Sequence, residues 1–408
     1  MAGAKRSISD FEDSLESKKV RRLDTCFGID YHRLERAQCP KFRKPQEVAT
    51  FSVTVKTDQE QSVSCDPSVE STSDEPSVSK YSVAGACART LCKDVNFNHM
   101  RLVIPRSLNH VNFDLNKGYG SHTKKESENE FMDILLHCLL QENLSNKSEF
   151  VCWRGLLTKV AASPYDAGGK FDDGLKIVAQ KFCDVIYLYE FPTEQALKKQ
   201  EHLDDRQKLM QYWGMKFESY LTAKSGEKPD IEEQLNLNNE FGVVVSSKLG
   251  SHSLMFGGEV DCSLSSHNKY VELKTTREFS HEGHRRSFRK FKLMKWWLQS
   301  FLIGIEDIFY GLRNDEGFVK QCKWLKVSDI PQIIKQDRDS WRPGLCLTFL
   351  DEFLTFVKES VTENLVPHVF TRSPGAKEFC MVVDRKGENK FLPRWFVEKQ
   401  SASECLQT

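Results

Sequence analysis

The stretch Leu254–Phe279, LMFGGEVDCSLSSHNKYVELKTTREF, decides how this chain is read. Two apolar runs flank Ser265-Ser266-His267-Asn268, a composition suited to a four-residue turn, so the segment reads as a β-hairpin with strands at 254–264 and 269–276. Side chains alternate faces along a strand, so Glu259 and Asp261 share one face, as do Glu272 and Lys274. A turn of that length pairs Leu264 with Lys269 and sets Asp261 opposite Glu272. Opposed residues have Cβ atoms about 4.5–5.5 Å apart. Three carboxylates and a lysine therefore converge.

Like charges placed this way destabilise a hairpin unless something neutralises them. A bound Mg²⁺ or Mn²⁺ is the natural answer, because both favour hard carboxylate oxygens. Lys274 adds a point charge suited to a phosphate oxygen beside the metal. Metal-assisted phosphodiester hydrolysis needs this arrangement: cations that hold the attacking water, stabilise the leaving oxygen and offset developing charge. Taken alone, E-x-K marks a solvated surface pair far more often than a catalytic site. Two strands carrying E-x-D and E-x-K, with Gly257 and Gly258 permitting close backbone approach, move the reading to catalysis.

Working outward, the pattern predicts a helix over 204–222, with Leu209, Trp213, Phe217 and Tyr220 on its apolar face. Glu218 lies off that face, open either to the metals or to solvent. A second helix is predicted over 287–304, with Phe291, Met294, Leu298 and Phe301 as its core stripe. Gln299 sits beside that stripe, where a polar group either faces water or bonds something specific. Arg277, Arg285, Arg286, Arg289, Lys290, Lys292 and Lys295 crowd the segment after the hairpin. Such a patch can steer a phosphate backbone, although most charge runs are solvated faces. Further strands are expected at 150–158, 183–190, 241–247, 318–326 and 379–384, another within 40–55, and helices at 126–141 and 344–360. Strands come as hairpin-like neighbours rather than in βαβ alternation, so the fold class is α+β: a mixed β-sheet packed by helices. There is no G-x-G-x-x-G and no P-loop, which leaves dinucleotide-binding and NTPase readings without support.

Composition bounds the rest. Lys+Arg and Asp+Glu balance at 58 each, so any phosphate-binding surface must be a local patch. No apolar run reaches the roughly 18 residues of a membrane span, and no apolar leader opens the chain. The 13 cysteines are scattered and never spaced C-x-x-C, which argues against a zinc site and a disulfide framework. Residues 1–27 read as a tail carrying a two-part basic cluster, Lys5-Arg6 and Lys18-Lys19-Val20-Arg21-Arg22, either a nuclear import signal or a solvated charge run. A Ser-, Asp- and Glu-rich insertion at 56–84 interrupts a single domain spanning 28–400, and 401–408 reads as a second tail.

The motifs GGEVDC (257–262), YVELKT (270–275), FKLMKWWLQSFL (291–302), GMKFE (214–218) and WRGLLTK (153–159) together resemble the decapping exoribonuclease (DXO) family. FRKPQEVATFSV (42–53), GLRNDEGFV (311–319) and FLPRWFVE (391–398) continue the resemblance, in the same order, through roughly 28–400. It implies a monomeric α+β enzyme with a core related to the D-(D/E)-x-K nucleases; the basic cluster and the absence of a long apolar run add the expectation of a nuclear protein with no membrane. The implied substrates are RNA 5′ ends: triphosphates, unmethylated guanosine caps and cofactor caps such as NAD, followed by 5′→3′ degradation of 5′-monophosphate RNA. Carried over by residue, Glu259, Asp261, Glu272 and the main-chain oxygen of Leu273 bind two Mg²⁺ or Mn²⁺ ions, joined by Glu218 through water. Lys274 and Gln299 hold the scissile phosphate, and Arg154 contacts substrate phosphate near the 5′ end. Two other readings stay open: a DNA nuclease of the same core type, and a binding partner that stabilises another exoribonuclease.

Overall fold

The computed structural model describes residues 26–55, 89–91, 99–122, 132–264 and 269–405. The basic cluster, the 56–84 insertion and the turn at 265–268 lie outside the described residues. In chain order the first strands are β1 Cys26–Gly28, β2 Gln46–Val55, β3 Arg89–Leu91, β4 Arg101–Leu102, β5 Phe113–Asp114, β6 Phe150–Trp153, β7 Leu175–Phe182, β8 Val185–Phe191 and β9 Thr222–Ala223. They continue as β10 Glu240–Leu249, β11 His252–Glu259, β12 Cys262–Leu264, β13 Lys269–Arg277, β14 Asp307–Arg313, β15 Phe318–Lys326, β16 His368–Arg372 and β17 Glu378–Val383. The helices are α1 Tyr31–Arg36, α2 Asp133–Gln141, α3 Arg154–Asp166, α4 Glu194–Glu201, α5 Asp205–Leu221, α6 Glu282–Ser287, α7 Leu293–Ile303, α8 Ile330–Ile334, α9 Pro343–Ser360 and α10 Arg394–Cys405. Parallel and antiparallel pairs mix in both sheets, as the α+β reading requires.

One sheet has ten strands in the order β1-β17-β16-β7-β8-β6-β11-β10-β2-β3, the other seven in the order β5-β15-β14-β13-β12-β4-β9. Between them α3, α7 and α9 bury an apolar layer that includes Leu157, Val160, Met294, Leu298, Phe349 and Phe353. On the outer face of the larger sheet, α2 covers Val151, Val178, Val244 and Met255. Trp213, Phe217 and Leu221 of α5 seal the smaller sheet against Val271, Leu273 and Phe309, so the predicted apolar face of that helix packs as expected.

Four expectations differ from the structure. The strand predicted over 254–264 is two strands: β11 pairs antiparallel with β10 and parallel with β6 in the larger sheet, while only β12 pairs with β13. The chain passes from one sheet to the other at Val260-Asp261, so the hairpin is confined to Cys262–Leu264 and its partners. The strand expected over 150–158 stops at Trp153, and Arg154 opens a helix. Leu156, Leu157, Val160 and Ala161 are buried at helical spacing, a period that a short apolar run hides. The helix over 287–304 is broken by a π-turn at Phe288–Lys292, which shifts the register of its apolar face: Phe291 is 53% exposed and Arg289 is buried in its stead. At the C-terminal end α10 runs through 401–405, where a tail was expected.

Candidate active site

The site forms where the two sheets meet. β12 and β13 pair in the expected register, Leu264 with Lys269 and Cys262 with Val271, which carries Asp261 to the level of Glu272. Asp261 turns its Oδ2 onto the Leu273 main-chain N–H at 2.6 Å. In a strand the N–H and C=O of one residue address the same edge. The Leu273 carbonyl therefore faces the acidic cluster as well.

Glu272 is buried, with 1% of its surface exposed, and projects between two cations. Its Oε1 lies 2.5 Å from Lys274 Nζ, and its Oε2 lies 3.8 Å from Arg154 Nη1, beyond hydrogen-bond reach. That Oε2 has no hydrogen-bond partner, and neither has the buried Arg154 Nε. Arg154 is held from behind, its Nη1 donating to the Gln299 carbonyl at 3.2 Å. This bond joins the first turn of α3 to α7 and places Gln299 beside Arg154. Gly258 makes the approach possible: a Cβ there would sit 2.7 Å from Ile303 Cδ1 and 3.2 Å from Arg154 Cβ.

Glu218 arrives from α5. Burial raises its pKa well above the usual carboxylate range, and the negative charges of Asp261 and Glu259 raise it further, Lys274 only partly offsetting them. Asp261 is pushed up to about 6 by burial and by Glu272, against the pull of Lys274 and the Leu273 N–H. Glu272 goes the other way: burial alone would raise it, but Lys274 and Arg154 hold it below its ordinary value. Lys274 itself is raised, the loss of water being outweighed by Glu272 and Asp261.

Each candidate thus has a place. Glu218, Asp261, Glu272 and Lys274 form one electrostatic unit, with the Leu273 main chain, Arg154 and the Gln299 main chain against it. Glu259 ends β11 on the larger sheet with its side chain toward solvent, yet its charge is felt at Glu218. It reaches the cluster across the sheet junction, not along one strand face as expected. Sequence reasoning passed over a second group, Arg206 and Arg313 beside the Trp213 ring, 4.8 and 4.5 Å from its centre; single arginines on a helix and a strand give no periodic signal. Cys26, Glu378 and Cys380 form a separate group at the far edge of the larger sheet.

Buried carboxylates at the junction of two sheets, with a lysine two positions beyond one of them on the same strand, are the donor set that metal-dependent phosphodiester hydrolysis requires. The chain matches, over residues 43–397, the family described as RAI1 like PD-(D/E)XK nuclease, and it belongs to that family. It is 36% identical over 306 residues to the human decapping and exoribonuclease protein, covering 70% of this chain and 76% of that one. To the decapping nuclease RAI1 of Neurospora crassa it is 29% identical over 325 residues, covering 73% and 77%. Among solved structures, Candida albicans Rai1 in complex with pU5-Mn²⁺ superposes with a TM-score of 0.72 at 19% identity, covering 90% of this chain and 97% of that one. S. pombe Rai1 in complex with 3′-FADP gives 0.65 at 23% identity, covering 88% and 99%.

Proposed function

We propose that this protein is a divalent-metal-dependent hydrolase of RNA 5′ ends, removing defective or non-standard caps and degrading the exposed 5′-monophosphate RNA 5′→3′ at one site. The observation that carries the reading is the electrostatic deficit of the cluster: Asp261 is raised by burial and by Glu272, Glu218 by burial and by Asp261 and Glu259, and a buried Glu272 oxygen lacks a hydrogen-bond partner. Hard oxygen donors in that state fit Mg²⁺ or Mn²⁺, and relatives named decapping nucleases and a neighbour bound to pU5-Mn²⁺ support the same chemistry.

Glu259, Asp261, Glu272 and the Leu273 carbonyl are the residues that would hold two ions, with Glu218 joining through water. Bound there, the metal supplies an activated water and Lewis-acid stabilisation of the leaving oxygen. Lys274, fixed by Glu272, presents its ammonium to the scissile phosphate and offsets charge that grows in the transition state. The Gln299 amide holds a second oxygen of that phosphate. Arg154 stands on the opposite side of Glu272 from Lys274, at the start of a helix whose first N–H groups have no side-chain cap. It takes a substrate phosphate near the 5′ end.

Unmethylated guanosine, NAD and triphosphate ends are the substrates, the protein acts as a monomer, and the basic cluster at 5–22 directs it to the nucleus. Among the described residues no helix is long and apolar enough to cross a membrane. The deciding experiment is product analysis on a panel of capped, triphosphorylated and monophosphorylated RNAs with a matched DNA strand, in Mn²⁺ and in chelator. Turnover in chelator, or equal degradation of DNA, overturns the reading. A protein inert on every RNA that still binds an exoribonuclease would make it a partner instead.

A further inference from the structure

The basic segment after β13 is mostly answered by the chain itself. Arg277 pairs with Asp315, Arg286 with Asp339 at 2.6 Å, Arg289 with Asp337 and Glu282 at 2.6 Å, Lys295 with Asp166 at 3.4 Å, and Arg285 with Glu282 at 3.7 Å. Lys292 is different. Its Nζ donates to Thr276 Oγ1 at 3.3 Å and weakly to the Thr275 carbonyl at 3.5 Å, and no carboxylate among the described residues lies within ion-pair distance of it. Thr276 shares a strand face with Lys274 two residues earlier, so the Lys292 amine lies about 7 Å further along β13 than the lysine of the acidic cluster. Lys292 is exposed at the surface, while partial loss of water around its amine and the charge of Arg313 lower its pKa to about 8.

Arg313 extends the same line. It is the β14 register partner of Arg277 and is 9% exposed, with its guanidinium 4.5 Å from the ring centre of Trp213. Arg206 lies 4.8 Å from that ring and donates to the Asp315 carbonyl. Arg313, Arg206 and Arg277 thus gather about Asp315, whose carboxylate Arg277 already engages, and Lys292 feels the charge of Arg313. This is the mirror image of the acidic cluster: like charges held together by the fold, with too little of the opposite sign to answer them. The order along the molecule is Arg154, Glu272, Lys274, Lys292, Arg313. With Arg154 on the 5′ side, Lys292 and Arg313 fall on the 3′ side.

We infer that Lys292 and Arg313 form a phosphate-binding track for the RNA immediately 3′ of the scissile bond, backed by Arg206 on Trp213. The inference rests on the RNA-hydrolase reading above and adds to it how the enzyme grips the body of its substrate. Cations there tell a polynucleotide from a free dinucleotide or cap fragment, because only the polynucleotide carries phosphates that reach them.

The test uses the full-length protein in Mn²⁺ with 5′-monophosphorylated RNAs of increasing length, from a dinucleotide to an octanucleotide. Lys292→Met is expected to raise KM for the octanucleotide about tenfold or more, leaving kcat and all dinucleotide kinetics near wild type. Its salt dependence should flatten by about 0.7 in the log–log slope, the value for one lost cation on a single strand. Arg313→Gln is expected to act in the same direction and more strongly. Because Arg313 is buried, the exposed Arg206→Gln serves as a second variant that leaves the core intact, with a smaller rise in KM. Variants that behave as wild type on the octanucleotide overturn the track, as do variants that slow every length equally. If the wild type cleaves the octanucleotide and the variants are blind to length, the track alone falls. If the wild type cleaves no RNA of any length, the hydrolase reading falls and the track with it.

Discussion

Two enclosed acidic sites in this molecule are built from the same chemistry and come out opposite. Asp172, in the turn before β7, has 3% of its side chain exposed and accepts a two-pronged pair from Arg372 at 2.8 and 2.7 Å. The main-chain N–H groups of Gly168, Gly174 and Gly375 donate to it at 2.8, 3.0 and 2.8 Å. Those three glycines have φ of +76°, +74° and +78°, the left-handed region that lets the loops turn their N–H groups inward. Burial alone would raise Asp172, yet Arg372 and these donors hold it far below the usual carboxylate range. At the cluster around Asp261 burial wins at two carboxylates: Asp261 rises to about 6, Glu218 well above its ordinary value, and one Glu272 oxygen has no hydrogen-bond partner. Where the chain answers a buried charge itself, the charge is structural. Where it does not, the answer comes from a ligand, and the fold carries the repulsion until it arrives.

The largest effect that tests this contrast is loss of the acidic cluster. Glu259→Ala and Asp261→Ala are expected to remove decapping and exonuclease turnover together, since one site serves both. Loss of one activity alone would require a second site. Their stabilities carry the comparison. Without metal, Asp261→Asn should melt at or above wild type, because it relieves repulsion. Mn²⁺ at a hundred times its Kd should stabilise the wild type by about 2.7 kcal/mol and the variant far less. Thermal unfolding with and without chelator measures both, and a metal-free Asp261→Asn protein that melts well below wild type would break the contrast.

Asp172→Asn comes next, and it should do the reverse. It leaves the Arg372 charge enclosed without its counter-ion, a loss on the order of 3–5 kcal/mol, while kcat per folded molecule stays at the wild-type value. The folded pKa of Asp172 is depressed, so its contribution is present above the unfolded value, about 3.9, and is lost as pH falls from there toward the folded pKa. The stability gap between wild type and Asp172→Asn is therefore widest near neutrality and narrows below about pH 4. Denaturant unfolding across that range checks the sign; a gap that widens in acid would mean that Asp172 is not the ionised partner.

What could be read from the chain tracks how local each determinant is. The β12–β13 register was legible because a four-residue turn and period-two alternation settle it within a dozen residues. The break at Val260-Asp261 was not, because β11 takes its partners, β10 and β6, from the larger sheet, and nothing between Phe256 and Cys262 interrupts the strand pattern. Arg154 was found through its motif but set in a strand, since a helix beginning directly on a strand end without a capping side chain leaves no start signal. Phe291 was misplaced by the π-turn, whose extra residue no hydrophobic period announces. Asp172 gave no signal at all: its partner is Arg372, two hundred residues on, and an isolated aspartate among glycines reads only as a turn.

The smallest effects lie at the boundary between the two kinds of site, with the side chains proposed to hold the phosphate and not the metal. Lys274→Ala is expected to lower kcat by about 10²–10³, because the ammonium acts on charge that develops in the transition state. It also leaves Glu272 buried with only Arg154, 3.8 Å away, to answer it. The variant should therefore melt lower than wild type in chelator and recover when Mn²⁺ supplies the missing charge. Gln299 carries no charge and no cluster residue depends on its side chain; its contact with Arg154 is through the main chain, which a substitution keeps. Gln299→Ala should accordingly leave melting unchanged in both conditions and slow single-turnover cleavage by about tenfold, the scale of one neutral hydrogen bond. Calorimetric metal titration beside single-turnover kinetics separates the two residues: both variants should keep metal affinity, and only Lys274→Ala should show metal-dependent recovery of stability. A Lys274→Ala protein with wild-type rates would return that lysine to the class of Arg372, a counter-ion for a buried carboxylate. A Gln299→Ala protein that had lost metal affinity would place the amide among the ligands.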